Sequence, residues 1–323
     1  MERKLMEGTE LIVSEIALGT MHYGTEKVSE EEARRQMDAF LAAGGNFIDT
    51  ARIYGAWDRD DSGYPLSEQA IGRWLWDRRA RDKVVLSTKG AHPLIRSKER
   101  MRLHPEEIRA DLERSLENLR TDHVDLYFLH RDDTEVPVGD ILETLEEARR
   151  EGKIRYYGSS NWTLGRIMEA EAYAKEHGLQ GFSVNQAWLC LPDINSRERK
   201  DKTMIPVDRE MDLWHSRTRL PLMAYSSIAR GYLSRLRSGR ELSSHHLASY
   251  ENASSRRIAR ALEERGIEPL EASLKSLTRH SAYQVFPIVS FSDERQMEES
   301  LKAIEGAAPE GLEEIWAMKE FTV

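Results

Sequence analysis

The chain repeats one local pattern eight times: a short apolar run that ends in small or polar residues, followed by a stretch whose apolar residues have helical spacing. Such alternation of strands and helices is typical of a parallel sheet that carries helices on its faces. Eight units in succession are the number that closes a parallel sheet into a barrel. The pattern therefore predicts a closed α/β barrel, with its strands in residues 16–20, 47–48, 83–89, 124–130, 154–161, 182–186, 220–226 and 285–290.

Length and composition fit this barrel and argue against several classes of protein. The 323 residues are a usual length for such a barrel, so we predict a single domain over residues 1–323. The net charge is −9 and acidic and basic residues are mixed, which argues against nucleic acid or a membrane as the main partner. No apolar run approaches the roughly 18 residues that span a bilayer, and residues 1–4 do not resemble a signal peptide. Cys190 is the single cysteine, so the sequence favours a soluble cytoplasmic protein without an internal disulfide.

Three of the predicted strands end in residues that carry acid–base chemistry. The second strand is followed by Asp49, and Tyr54 lies in the loop five residues further on. The third strand ends in Lys89 and the fourth in His130. If these strands are neighbours in one parallel sheet, their ends meet at the same rim, and the sequence predicts that the four side chains converge there.

The four residue types suit the reduction of a carbonyl group, whose oxygen must gain a proton as its carbon gains hydride. Tyr54 is the candidate proton donor, although a phenol with a pKa of about 10 is a weak acid at neutral pH. The Lys89 ammonium beside it would favour the phenolate, Asp49 would hold the lysine, and His130 would orient the carbonyl oxygen. Asp49 and Lys89 also have a purely structural interpretation, since buried ion pairs likewise perturb pKa values.

The same segments resemble the motifs of the aldo-keto reductase family. The matching runs are residues 45–55, 88–90 and 125–130, and the resemblance extends over nearly the whole chain. It implies a (β/α)8 TIM barrel with an N-terminal hairpin on the barrel floor. It also implies a nicotinamide cofactor, usually NADPH with NADH also possible, no metal, and a small-molecule carbonyl or alcohol as substrate.

The resemblance assigns residues to the nicotinamide end of the cofactor. Ser160, Asn161 and Gln186 match the family positions that hydrogen-bond the carboxamide, which fixes the ring face that donates hydride. Tyr225 matches the aromatic residue that stacks on the ring, although ordinary packing at the rim is an alternative for it. The chain contains no Gly-x-Gly-x-x-Gly fingerprint, so a Rossmann-type dinucleotide site is not indicated.

The phosphate end of the cofactor is expected at the loops after the seventh and eighth strands, where barrels of this class commonly bind phosphate. Backbone N–H groups in the loop after the seventh strand are predicted to cradle the pyrophosphate. The residues of this loop are Ser226, Ser227, Ile228, Arg230 and Gly231.

The segment after the eighth strand departs from the family pattern. The departures are Ser290 for the usual glycine, Phe291 for a small residue and Ser300 for the usual asparagine. Arg295 is the candidate partner of a 2′-phosphate, and Ser292 and Gln296 are also assigned to the cofactor. Asp293 and Glu294 would repel that phosphate, so the sequence favours NADP over NAD less strongly than the resemblance alone does.

Loops on the rim carry the candidate substrate contacts. Trp57 and Tyr64 lie in a polar loop with three aspartates, where they would stack on a sugar or other polyol-like substrate. Packing of these rings on the top of the barrel is an equal alternative. Residues 191–212 and 234–252 are longer than barrel connections require, and they are predicted to be long rim loops, either functional lids or disordered.

Three classes of function stay open. The leading one is an NAD(P)H-dependent oxidoreductase that interconverts a carbonyl and an alcohol. The second is a redox-sensing protein that binds the cofactor with little turnover, like the regulatory β-subunits of channels in the resembled family. The third is a metal-dependent enzyme that uses His22, His92, His130 and Asp49, which the Lys89 ammonium and the absence of paired-ligand spacing disfavour. The sequence leaves the substrate, the reaction direction and the oligomeric state open.

Overall fold

The computed structural model describes residues 1–56, 66–93, 100–195 and 201–321. The strands are β1 (Arg3–Leu5), β2 (Ile12–Ser14), β3 (Ala17–Gly19), β4 (Phe47–Asp49), β5 (Val85–Gly90), β6 (Val124–Leu129), β7 (Ile154–Ser160), β8 (Val184–Trp188), β9 (Leu222–Tyr225) and β10 (Val285–Val289). The helices are α1 (Glu30–Ala42), α2 (Leu66–Arg78), α3 (Pro105–Leu119), α4 (Val138–Arg150), α5 (Leu164–His177), α6 (Arg209–Thr218), α7 (Tyr232–Arg237), α8 (Ser244–Tyr250), α9 (Ala253–Glu264), α10 (Pro269–Thr278), α11 (Glu294–Ile304) and α12 (Leu312–Trp316).

Strands β3 to β10 form a closed barrel in the order β10-β3-β4-β5-β6-β7-β8-β9, and every neighbouring pair is parallel. Asp49 at the end of β4 is paired with Gly19 of β3 and Ser87 of β5. Lys89 of β5 is paired in turn with Phe128 of β6. The registers place these strand ends at one rim, and the predicted (β/α)8 barrel is confirmed.

The antiparallel hairpin of β1 and β2 closes the N-terminal end of the barrel, as predicted. Its buried apolar side chains join one cluster with strand residues of the barrel interior; they are Met6, Leu11 and Val13. The Asn46 side chain fastens the hairpin, because it accepts from the Ser14 N–H at 2.7 Å and donates to the Ile12 carbonyl at 2.8 Å. The C-terminal ends of the strands, with their polar residues, form the opposite rim of the barrel.

Short-range sequence signals start and stop several helices. Ser29 caps α1 by accepting a hydrogen bond from the Glu32 N–H at 3.2 Å. Pro105 is the first residue of α3, where a missing N–H costs nothing. Gly152 follows α4 with φ +77°, a conformation that favours glycine. Within the described residues, no helix combines the length and the apolar character that crossing a membrane requires.

The prediction of a long loop over residues 234–252 is wrong. The stretch contains the end of α7 and all of α8, and the Ser243 and His246 side chains cap α8 reciprocally. Tyr250 at the end of α8 is buried with its ring edge against Trp188 at 5.9 Å. Capping and burial make a helix from a polar sequence that looked like a loop. The predicted loop at 191–212 is shorter than expected, because α6 begins at Arg209. Residues 191–195 and 201–208 do lie outside the named helices and strands.

A buried ion pair fastens the residues after α12 to the loop after β8. Lys319 Nζ lies 3.1 Å from Asp193 Oδ1, and the two side chains are 2% and 1% exposed. The same ammonium donates at 3.0 to 3.2 Å to the backbone carbonyls of Cys190, Leu191 and Pro192. Asp193 also accepts hydrogen bonds from the backbone N–H groups of Glu320 and Phe321. Such additional hydrogen bonds are what a buried ion pair needs to offset its loss of hydration.

Candidate active site

A buried ion pair between Asp49 and Lys89 lies at the C-terminal rim of the barrel. Lys89 Nζ is 2.6 Å from Asp49 Oδ2, and it donates a second hydrogen bond to the Thr50 carbonyl at 2.7 Å. Asp49 Oδ1 accepts hydrogen bonds from Ser87 Oγ at 2.8 Å and from Gln186 Nε2 at 3.0 Å. Both carboxylate oxygens are therefore held, and the ammonium has a fixed position.

Tyr54 lies against this ion pair. Its ring centroid is 4.8 Å from Lys89 Nζ. Burial raises the pKa of Tyr54, and the Lys89 charge opposes that rise without cancelling it. Lys89 thus favours the phenolate, as expected, but desolvation outweighs the charge and the net pKa of Tyr54 is raised. Burial acts to lower the pKa of Lys89, but Asp49 and Tyr54 outweigh it and leave that pKa raised. At neutral pH the tyrosine keeps its proton and the lysine keeps its charge.

The loop that carries Tyr54 is fixed by its backbone. The N–H groups of Thr50 and Arg52 donate to carbonyls of β5 at 2.9 and 3.0 Å. Gly55 turns the chain with φ +85°, and a Cβ there would lie 2.7 Å from Leu66 Cβ. A glycine is therefore required directly after the tyrosine, both for the conformation and for the close approach of α2.

His130 follows β6 directly and lies across the site from the ion pair. Its ring centroid is 5.9 Å from that of Tyr54 and 4.8 Å from that of His92, in both cases edge-on. Burial, followed by the influence of His92, Arg131 and Lys89, holds the pKa of His130 well below its ordinary value. A neutral imidazole carries one N–H donor. The structure thus brings together all four side chains that were predicted to converge.

Asn161 is hydrogen-bonded at every position of its amide. Its Nδ2 donates to the His130 carbonyl at 3.2 Å and to Ser160 Oγ at 3.1 Å. Its Oδ1 accepts from Tyr225 Oη at 2.6 Å and from the Ile205 N–H at 3.1 Å. An amide has two donor hydrogens and two acceptor lone pairs, so all are used. Asn161 anchors the hydroxyl of Tyr225, and a hydrogen bond to a carboxamide would require the exchange of one of these partners.

The loop after β9 has an unusual backbone. Ser226, Ala229, Arg230 and Gly231 all have positive φ, between +48° and +76°. The Ser227 hydroxyl donates to the Ile288 carbonyl of β10 at 2.8 Å and ties the loop to the last strand. Turns of this kind suit an anion where their N–H groups are free, but the N–H groups of Ala229 and Gly231 donate to the Ser226 and Ile228 carbonyls at 2.8 Å. The predicted pyrophosphate residues, including Ile228, lie within this loop.

The residues after β10 are engaged in capping α11. Asp293 accepts a hydrogen bond from the Gln296 N–H at 2.9 Å, and Gln296 Oε1 accepts one from the Ser292 N–H at 3.0 Å. Arg295 is exposed and pairs with Glu299 at 2.9 Å along the same helix. These side chains thus have partners within the chain, and an acidic residue stands at the helix N-terminus, where a phosphate would otherwise be favoured.

Sequence reasoning missed Ser87, whose hydroxyl holds Asp49. Its signal was present, because residues two apart on a strand face the same side and Ser87 precedes Lys89 by two. Trp57 and Tyr64 lie outside the described residues. Among the residues that the structure describes, no group of three or more histidine, cysteine, aspartate or glutamate side chains is arranged to hold a metal.

Comparisons with known proteins identify a family and a fold for this chain. The model of the "Aldo/keto reductase family" matches residues 15–310. The chain is 34% identical to the uncharacterized oxidoreductase YrpG of Bacillus subtilis over 72% of this chain and 68% of that protein. It is 27% identical to the norsolorinic acid reductase stcV of Emericella nidulans over 90% of this chain and 74% of that protein. The holo form of an aldo-keto reductase from Bacillus halodurans has the same fold, with a TM-score of 0.75 at 24% identity over 100% of this chain and 98% of that one.

Proposed function

The chain belongs to the aldo/keto reductase family, and from this premise we propose that Tyr54 protonates the carbonyl oxygen of a small-molecule substrate while a nicotinamide cofactor delivers hydride. Membership makes the chain an NAD(P)H-dependent oxidoreductase. The observation that carries the proposal is the contact of the Tyr54 ring with the fixed ammonium of Lys89, which lies 4.8 Å from the ring centroid.

The residues around this site fit a nicotinamide dinucleotide. Tyr225, anchored by Asn161, offers its ring to the nicotinamide, and the positive-φ loop after β9 offers backbone N–H groups to the pyrophosphate. Gln186 of β8, whose Nε2 donates to Asp49, would hydrogen-bond the carboxamide. When bound, the cofactor supplies the hydride that attacks the carbonyl carbon.

Side chains of the protein transfer the proton and stabilise the charge that its transfer leaves. As the carbonyl oxygen gains negative charge, Tyr54 Oη gives it a proton and the oxygen becomes a hydroxyl group. The phenolate that remains is stabilised by the Lys89 ammonium, which Asp49 holds in place. The neutral His130 donates its N–H to the same oxygen and so orients it. In the reverse direction the phenolate accepts the proton from an alcohol.

The proposal also covers the identity of the cofactor, the class of substrate and the location of the protein. We take the cofactor to be NADPH and the substrate to be a polar aldehyde or ketone such as a sugar. The chain would act as one domain in the cytoplasm, without nucleic acid or membrane partners, consistent with its net charge of −9.

A titration of the purified protein with NADPH and, separately, NADH tests the proposal. Quenching of tryptophan fluorescence reports binding, and the oxidation rate of each cofactor is followed with a panel of aldoses and small aldehydes. Tight binding with turnover of any carbonyl supports the reductase. Binding without turnover across the panel favours the redox-sensing alternative, and failure to bind either cofactor overturns both.

Asp293→Asn is expected to tighten NADPH binding about fivefold while leaving NADH binding nearly unchanged. Asparagine caps a helix as well as aspartate does, but it removes a negative charge whose repulsion of a nearby 2′-phosphate in water is about 1 kcal/mol. The measurement is the Kd of each cofactor. Asp208→Asn is the matched control, since Asp208 caps α6 in the same way by accepting from the Met211 N–H at 2.8 Å. Equal changes for both cofactors would mean that no 2′-phosphate lies near Asp293.

A further inference from the structure

Asp111, a buried residue of α3, contacts two separate rim segments. Its Oδ2 accepts hydrogen bonds from the Ala91 N–H at 2.8 Å and from Arg102 Nη1 at 2.9 Å. Its Oδ1 accepts from Arg102 Nη2 at 3.0 Å and lies 3.2 Å from Arg52 Nε. Arg52 belongs to the loop after β4, whereas Ala91 and Arg102 belong to the chain between β5 and α3. One carboxylate, 2% exposed, thus joins both segments.

The first of these segments positions Tyr54. Arg52 precedes the tyrosine by two residues, and its backbone N–H donates to the Lys89 carbonyl at 3.0 Å. The guanidinium of Arg52 turns inward to Asp111, so that the backbone of the tyrosine loop is held from β5 and its side chain from α3. A displacement of Arg52 would therefore move Tyr54 relative to Lys89.

The second segment positions His130 through its neighbour. Arg102, held by Asp111, also donates to the His92 carbonyl at 3.3 Å. The ring of His92 packs edge-on against His130 at 4.8 Å. Ala91 directly precedes His92 and has φ +60°, which is a strained conformation for a residue other than glycine. Its N–H donates to Asp111. The carboxylate therefore fixes the turn that presents His92 to His130.

We propose that Asp111 is a positioning residue for the reaction: it joins the Tyr54 loop to the His92 turn and so sets the relative placement of the proton donor and the histidine that orients the substrate oxygen. This inference rests on the proposed function in assigning those two roles. The negative charge is essential, because the carboxylate accepts hydrogen bonds from Arg102 and from the Ala91 N–H and also forms an ion pair with Arg52. An asparagine would turn an NH2 group toward one of these donors.

Asp125 provides a matched control at the opposite end of the barrel. It is 3% exposed, and it accepts at 2.9 Å from the Leu86 N–H and from one nitrogen each of Arg81 and Arg155. It is the second residue of β6, near the N-terminal end of the strand, and does not belong to the rim. Asp111→Asn and Asp125→Asn therefore remove the same kind of interaction, and only the first removes it beside the active site.

The test compares the two variants in the full-length protein. We expect Asp111→Asn to lower kcat by about 10- to 100-fold, because a displacement of about 1 Å between reacting groups has that effect, while Kd for NADPH stays within about twofold of the wild-type value. Asp125→Asn should lower stability to a similar degree, measured by urea unfolding, and leave kcat unchanged. An unchanged kcat in Asp111→Asn, or an equal loss of kcat in Asp125→Asn, would overturn the positioning role.

A second readout needs no turnover. Histidine ring resonances in NMR spectra, with His92 assigned through His92→Gln, should shift for His92 and His130 in Asp111→Asn and not in Asp125→Asn. Unchanged histidine resonances in Asp111→Asn would overturn the inference even if kcat falls. Absence of turnover in the wild-type protein would count against the proposed function alone, since the NMR comparison still decides whether Asp111 positions the two histidines.

Discussion

Tyr54→Phe is expected to lower kcat for carbonyl reduction by roughly 10²- to 10⁴-fold, the usual contribution of a general acid. The variant loses only the hydroxyl, so the ring still packs against Lys89 and the backbone of the loop is unchanged. Cofactor affinity should stay near the wild-type value, because the proposed cofactor contacts lie on β7 to β9, in the loop after β9 and at the start of α11, and the Tyr54 hydroxyl is not among them. The measurement is kcat together with Kd for NADPH.

Tyr283→Phe is the control for this experiment. Tyr283 is also buried, and its hydroxyl donates to Asp212 at 2.8 Å, but it precedes β10 and so lies at the other end of the barrel. The control should lose some stability and keep its kcat. Retention of full activity by Tyr54→Phe would assign the proton to another donor and remove the central element of the proposed mechanism.

Lys89→Met should impair both stability and activity. Removing the ammonium leaves Asp49 buried without its charged partner, and breaking a buried pair in this way costs about 3–5 kcal/mol in the free energy of unfolding. The phenolate formed from Tyr54 would also lose its neighbouring positive charge, so kcat should fall at least about 10²-fold, as for other electrostatic stabilisers. Urea unfolding and steady-state kinetics measure the two effects separately.

Lys319→Met is the control that separates the loss of stability from the loss of activity expected for Lys89→Met. Lys319 and Asp193 form the other lysine–aspartate pair in the described chain with both side chains at most 2% exposed. Its loss should reduce stability to a similar degree, while the folded fraction keeps its turnover. If Lys319→Met abolished activity as fully as Lys89→Met, the loss of activity in Lys89→Met would be explained by loss of structure, and a catalytic role for Lys89 would not be supported.

The barrel and the meeting of the four active-site side chains were predictable from the sequence. Strand ends in a parallel barrel share one rim, so Asp49, Lys89 and His130 could be placed together without knowledge of their distances. The ionisation of Tyr54 was not predictable, because desolvation depends on everything that packs around the ring and here it outweighs the nearby charge.

Helix caps were hard to recognise in the sequence, because the side chains that cap a helix also suit a loop or a binding site. The side chains of Asp293 and Gln296 cap α11, a role that the sequence analysis did not assign to them. The Ser243–His246 run looked like a loop for the same reason, although its side chains cap α8. Asp111 left no local signal, since its partners Arg52 and Ala91 belong to distant parts of the chain.

The Lys319 ammonium is enclosed by Asp193 and the carbonyls of Cys190, Leu191 and Pro192, and we call this arrangement the Lys319 cage. The cage has a consequence for the lifetime of the folded state. Lys319 lies 129 residues after Cys190, so its ammonium can reach the three carbonyls only when the β8 loop and the segment after α12 have both packed. Closing so long a loop is entropically unfavourable early in folding, which makes the cage a late interaction. Late interactions are absent from the folding transition state, and they slow unfolding without accelerating folding. We therefore expect Lys319→Met to accelerate unfolding of the barrel more than it slows folding.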